Sequence, residues 1–204
     1  QKTYSPSPDE PGKLILHNGI FTIIFSSHDY NILKTIANGI DSHSEYIKQQ
    51  YGWELLESPA EPYNEPEVTE DNVKLKLISP LYVKDKDGKD VSLLKEPEKF
   101  NRELNYIMNS ASKILRGYEL KAPLVVEPVK GTRERRVLLY RDNEGKKYKG
   151  LAVHGKIRLK GVPEDINFAI DVCLGFRRSQ GFGLVYPVPQ LKNRKGKRTV
   201  KPRR

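Results

Sequence analysis

The chain has 204 residues, enough for one or two small domains, and its 37% hydrophobic content supplies a modest core for each. Lys and Arg number 36 against 26 Asp and Glu, a formal charge of +10 that favours a polyanion as partner, nucleic acid ahead of an anionic membrane. No apolar run approaches the ~18 residues of a membrane span, so a soluble, cytoplasmic protein is expected, and the single cysteine, Cys173, excludes an internal disulfide framework or a Cys-rich zinc site.

Taken in order, the polar, Pro-rich opening QKTYSPSPDEPGK reads as an extended arm without a signal peptide. Leu14 to Leu16 and Ile20 to Phe25 are rich in β-formers and predict a strand or a hairpin turned at His17-Asn18-Gly19. Ser26, Ser27 or Asp29 can cap a helix whose apolar stripe is Ile32, Leu33, Ile36, Ala37 and Ile40. A strand is expected over Tyr51 to Leu56. Strand, helix, strand is half of a small α/β sandwich. Residues 58–72 are rich in Pro and acid and read as a linker, which divides the chain into a first domain over 1–57, a second over 73–189 and a basic tail over 190–204. The tail lacks an apolar face; it is expected to be disordered alone and to attract phosphates without specificity.

The second half is more regular. Val73 to Val83 alternates as a strand does, and DKDGK at 85–89 makes a hairpin-type turn. Phe100, Leu104, Ile107, Met108, Ala111, Ile114 and Leu115 fall at helical spacing up to Gly117. Leu124 to Val129 is a strand. Arg135 to Arg141 and Tyr148 to Lys160 flank the turn Asp142-Asn143-Glu144-Gly145 as a long hairpin or adjoining strands, and a short helix from Pro163 to Leu174 places Cys173 in the core. Phe182 to Val188 closes the series. With the hairpin set aside, the order is β-α-β-β-α-β, the ferredoxin-like (RRM-like) unit of an α+β protein.

In that topology the first and third strands lie side by side, with helices on one face only. Val73, Leu75, Leu77, Val153, Ile157 and Leu159 then face the helices, while Lys74, Lys76, His154, Lys156, Arg158 and Lys160 share the open face. A merely solvated face ordinarily mixes signs, whereas no acid interrupts either series. The same half carries DVCLGFRRSQGFGLVYP, in which Gly175, Gly181 and Gly183 surround Arg177, Arg178, Ser179 and Gln180. Glycine permits positive φ and close backbone approach, and paired guanidiniums suit an anionic partner. The plainer alternative is a tight helix-to-strand turn with solvated arginines.

The block GFRRSQGFGLV after a short helix, with VKLKLISPLYV and LAVHGKIRLKG leading into VPEDINFAIDVCLGF, resembles the glycine-rich signature of the RAMP superfamily of CRISPR proteins, nearest its sixth Cas family. The likeness runs from about Gly19 to Pro187. It implies tandem ferredoxin-like domains, the first here lacking the opening strand and helix that a complete member places ahead of the segment matched by Thr3-Tyr4-Ser5. It also implies a metal- and cofactor-independent endoribonuclease acting on CRISPR repeat RNA, with the loop residues Gly175, Arg177, Arg178, Ser179, Gln180, Gly181 and Gly183 on the RNA, and the open-face reading adds Lys74, Lys76, Lys156 and Arg158.

In that chemistry a ribose 2′-OH attacks the neighbouring phosphate, and a group near pKa 7 takes its proton. Of the four histidines, His17 and His43 sit in turn or loop sequence. His28 opens a helix, where capping competes with catalysis, and His154 lies beside Lys156; these two are the candidate bases. Expected partners are repeat RNA and its processed guide (crRNA), with other Cas effector subunits and a homodimer as further possibilities and no membrane. A noncatalytic RNA-binding subunit of an effector complex shares these features and needs no base. An unrelated basic ribonucleoprotein component is the third reading, carried by charge and tail alone.

Overall fold

The computed structural model describes residues 4–6, 14–16, 24–27, 29–51 and 67–188. In the first half, β1 (Tyr4–Pro6) pairs antiparallel with β2 (Leu14–Leu16), and helices α1 (Tyr30–Ser42) and α2 (Ser44–Tyr51) follow. The pairing partner of Leu14–Leu16 is thus the segment read as an arm. Ile24 and Phe25 are not in a strand, and residues 20–23 lie outside the described set. Tyr51, expected to open a strand, is instead the last residue of α2, and 52–56 are not described. Asp29 opens α1 as anticipated: its Oδ1 accepts the Asn31 N–H at 2.8 Å, satisfying one of the helix's unpaired donors.

The second half contains a four-stranded antiparallel sheet of order β5-β8-β3-β9, made from β3 (Asn72–Leu77), β5 (Val125–Pro128), β8 (Lys156–Lys160) and β9 (Val185–Pro187). Helices α3 (Pro97–Arg116) and α4 (Pro163–Asp171) complete the expected β-α-β-β-α-β order. Period-two alternation buries Val73, Leu75, Leu77, Ile157 and Leu159 in one core with Phe100, Leu104, Met108 and Ala111 of α3 and Ile166, Ala169 and Ile170 of α4. Gly117, at φ 82°, ends α3 by donating its N–H to the Lys113 carbonyl. Ile114 and Leu115 continue the apolar spacing but stand exposed. The last turn makes its contact through Arg116 instead, whose guanidinium is bonded to the buried Asp165 of α4 at 2.8 Å and lies 4.1 Å over the Phe168 ring.

The edge strand β5 is sealed from its own helix. The Asn101 amide exchanges two hydrogen bonds with the Val126 backbone and the Asn105 amide two with Leu124, so paired side-chain amides at i and i+4 imitate a neighbouring strand.

A second, three-stranded sheet of order β4-β7-β6 joins β4 (Leu81–Tyr82), β7 (Lys147–His154) and β6 (Arg133–Arg141). The segment expected as one strand from Tyr148 to Lys160 is therefore two. Gly155, at φ 93°, breaks it, and a Cβ there would stand 2.1 Å from the Gly131 carbonyl oxygen. The hairpin turn after Arg141 uses the chemistry of DKDGK: the Asp142 carboxylate accepts the N–H groups of Glu144 and Lys146, as Asp85 accepts those of Asp87 and Lys89, with Gly145 and Gly88 at positive φ. Cys173 is not in the α4 core; it lies beyond the helix, half-buried, in a left-handed conformation at φ 65°.

Candidate nucleic-acid interface

Where β3 and β8 adjoin, Lys74 stands opposite Arg158 and Lys76 opposite Lys156. Like charges directly opposite repel, so this arrangement costs stability that an unconstrained surface would avoid. Lys76, Lys156 and Arg158 are exposed and Lys74 half-buried, and none of the four has an acid partner among the described residues. The one carboxylate in register with them, Glu127 of β5, is held by Lys160 at 2.6 Å. Tyr186 of β9 flanks Lys76 on the other side.

The glycine loop runs from the end of α4 through a single 3-10 turn, Arg178–Gln180, into β9. Most of its polar backbone is spent on the protein itself. The N–H of Phe176 donates to the Tyr82 carbonyl, that of Gly183 to Pro80 and that of Gln180 to Arg177; Leu184 N–H donates to the Ser79 hydroxyl. This gives Ser79-Pro80 its role as the cradle in which the loop rests. A Cβ on Gly175 would meet the Tyr82 carbonyl oxygen at 2.6 Å, and one on Gly183 would meet that of Leu174 at 1.8 Å. Both glycines are thus demanded by packing of the chain on itself, whereas Gly181 has open space beside it. Ser179 and Gln180 are exposed.

The two arginines differ. Arg177, at φ 60°, donates to Gln180 Oε1 at 2.5 Å and lies 5.4 Å over the Tyr140 ring, while its Nε is buried without a hydrogen-bond partner among the described residues. Arg178 is half-buried with no acid partner among those residues; burial presses its guanidinium below the ordinary value. A partly desolvated cation without a counter-charge is poised to take an anion.

Beneath the loop, Tyr82 packs between Phe176 and Phe182, with ring centroids 6.2 and 6.0 Å away. Its hydroxyl donates to Asp90, and burial with that carboxylate pushes its pKa up to about 12. This small apolar cluster ties the loop to the three-stranded sheet.

His154 ends β7 opposite Arg133 of β6. It belongs to the three-stranded sheet and not, as the continuous-strand reading had it, to the sheet that carries Lys156. The residue is half-buried, but its Nε2 is fully buried and has no hydrogen-bond partner among the described residues. Burial first, then Arg133 and Arg135, hold its pKa below the usual histidine value, so the imidazole is neutral at pH 7. Arg133 and Arg135 are exposed and were not singled out from the sequence, although the run RERR was the available signal. His43 plays the plainer part: its Nδ1 lies 2.8 Å from the Gly39 carbonyl oxygen at the end of α1. His28 lies outside the described residues. Among the described residues no group of three His, Cys, Asp or Glu could hold a metal, and no helix is long and apolar enough to cross a membrane.

An α+β sandwich with a cationic open face and an arginine-bearing glycine loop before its last strand defines a ferredoxin-like protein of the RAMP type. The family profile "CRISPR associated protein Cas6, C-terminal" matches residues 63–187, and the chain belongs to that family. Two solved structures agree on the fold. A RAMP protein described as binding different RNA substrates superposes with a TM-score of 0.61 at 16% identity, over 92% of this chain and 76% of the other. A Cas6-related protein from Pyrococcus furiosus gives 0.60 at 19%, over 80% and 65%. A CRISPR associated protein Cas6 is 24% identical with a TM-score of 0.48, over 61% of this chain, which spans only 51% of that protein's length. No curated protein matches the sequence.

Proposed function

We propose that the chain binds CRISPR repeat RNA along the β3–β8 face and cuts it without a metal. The observation that carries the binding half is the pair of opposed cations, Lys74 with Arg158 and Lys76 with Lys156, whose mutual repulsion a polyphosphate would relieve. The glycine loop borders this surface in the chain through β9, and Arg178 offers a cation without an acid partner.

For the cut, RNA binding uncovers the buried Nε2 of His154, the neutral imidazole accepts the 2′-OH proton there, and the 2′-oxygen attacks phosphorus. The bond from phosphorus to the 5′-oxygen breaks, leaving a 2′,3′-cyclic phosphate, and the departing 5′-oxygen takes a proton from water to become the 5′-OH. Arg133 and Arg135 stand where they can balance the extra phosphorane charge. His28 remains the second candidate base.

A noncatalytic RNA-binding subunit is the competing reading, favoured by the separation of His154 and the cationic strip onto different sheets. Labelled repeat RNA incubated with the protein in EDTA, beside a copy with a 2′-deoxy nucleotide at the cut, separates the two. Cleavage of the first alone supports the nuclease; binding without cleavage supports the subunit; indifference to repeat RNA overturns both.

A further inference from the structure

Toward the tip of the β6–β7 hairpin, beyond the reach of the two-residue strand β4, the rings of Tyr140 and Tyr148 stack with centroids 4.4 Å apart and planes 8° from parallel. Arg177 of the glycine loop lies 5.4 Å over Tyr140, and Lys146 of the hairpin 5.4 Å over Tyr148. A ring stacked on its neighbour has only its other face to give a cation, so the four side chains form one column from arginine through two tyrosines to lysine. Tyr140 is 44% exposed, and Tyr148, whose outer face Lys146 covers, is half-buried.

A two-stranded ribbon is marginal alone, and a cross-strand aromatic pair would steady it. That accounts for the rings but not for what surrounds them. Residues 133–149 hold seven cations against three acids. Glu134 turns inward to the Ser92 hydroxyl and the Leu93 N–H, and Asp142 is spent on its own turn. The cations near the rings therefore face solvent with little to oppose them. Lys146 at an exposed turn holds its ring by a contact worth about 0.5–1 kcal/mol, less than a stacked base gains.

We propose that the Tyr140–Tyr148 pair is a stacking platform for one unpaired nucleobase of a bound RNA. The base replaces Lys146 on the outer face of Tyr148, Lys146 moves to a flanking phosphate, and Arg177 locks the far end of the column to the glycine loop. The site rests on the RNA-binding reading above and gives it a position on the hairpin, away from the β3–β8 strip.

The test uses the full chain and a short single-stranded, uridine-rich RNA, with affinity measured across a range of KCl. Tyr148→Leu, which keeps an apolar strand residue but removes the π face, is expected to weaken binding about tenfold with an unchanged salt slope, and Tyr148→Phe to restore it. Independently of any variant, 5-iodouridine in the RNA should crosslink to Tyr148 under irradiation, read by mass spectrometry of the wild-type protein. Full affinity in Tyr148→Leu, or crosslinks confined to other residues, overturns the platform while leaving RNA binding intact. A wild-type protein that binds no RNA at any salt removes the RNA-binding reading itself, and the platform with it.

Discussion

The two sheets of the second half carry similar charge in opposite ways. On the four-stranded sheet Lys74, Lys76, Lys156 and Arg158 oppose one another across β3 and β8, and none of these four is tied to an acid among the described residues. At the three-stranded sheet Arg177 of the glycine loop and Lys146 of the hairpin turn are seated on the sheet's aromatic rings, and the carboxylates of Glu134 and Asp142 are drawn into the backbone. Free, opposed charges act through the counterions they release, so they give affinity that salt erodes. Charges seated on rings act through position, which salt touches little. A partner that uses both surfaces should therefore show two separable components of binding.

The largest effect should come from emptying the strip. Replacing Lys74, Lys76, Lys156 and Arg158 together with glutamine is expected to weaken RNA binding about a hundredfold at low salt. The logarithmic salt slope should become shallower by about 3, at roughly 0.7 per lost single-strand phosphate contact. Because like charges no longer face each other, the variant should melt no lower than the wild type. An unchanged slope would move the electrostatic component off this sheet.

Next in size is the loop's attachment. Gly183→Ala places a methyl 1.8 Å from the Leu174 carbonyl oxygen at φ 77°, and is expected to cost about 3 kcal/mol in denaturant unfolding. Gly181→Ala, at φ 81° but with open space around it, should cost about 1 kcal/mol, the left-handed conformation alone. Equal costs would mean that Gly183 is not held against the Leu174 backbone.

The contrast between the sheets also marks what could be read from the residues. VKLKL and KIRLK alternate with period two, so the strip and the core face beneath it were both legible, as were the two turns built on Asp and Gly. The helical stripe of α3 was legible through Ala111 but not beyond, because nothing local tells that Arg116, drawn to the buried Asp165 of α4, makes the last turn's contact in place of Ile114 and Leu115. Gly155 looked like one more strand position; its necessity comes from the Gly131 carbonyl, brought against it only by the fold. Likewise Gly175 is explained by Tyr82, more than ninety residues earlier. Tyr140 and Tyr148 met across the hairpin because a register shift between Leu138 and Tyr140 brings them opposite. That shift is a property of the pairing and not of either strand.

The smallest effect, and the one that tests whether catalysis sits on the three-stranded sheet, is set by His154. Its folded pKa is depressed, so as pH falls below about 6.5 the unfolded chain takes the proton first and stability declines. His154→Gln should remove that acid-side loss while leaving stability above pH 7 nearly unchanged. If the same imidazole is the base, the cleavage rate should rise with pH only below the ordinary histidine range and be flat by neutrality, because the reactive neutral form is already full there. A solvated histidine would instead place the midpoint near 6.5. Arg133→Gln together with Arg135→Gln should return the His154 midpoint toward that value, since those two cations contribute to lowering it. A midpoint that ignores both arginines would assign the base to another residue and leave the hairpin sheet a binding surface alone.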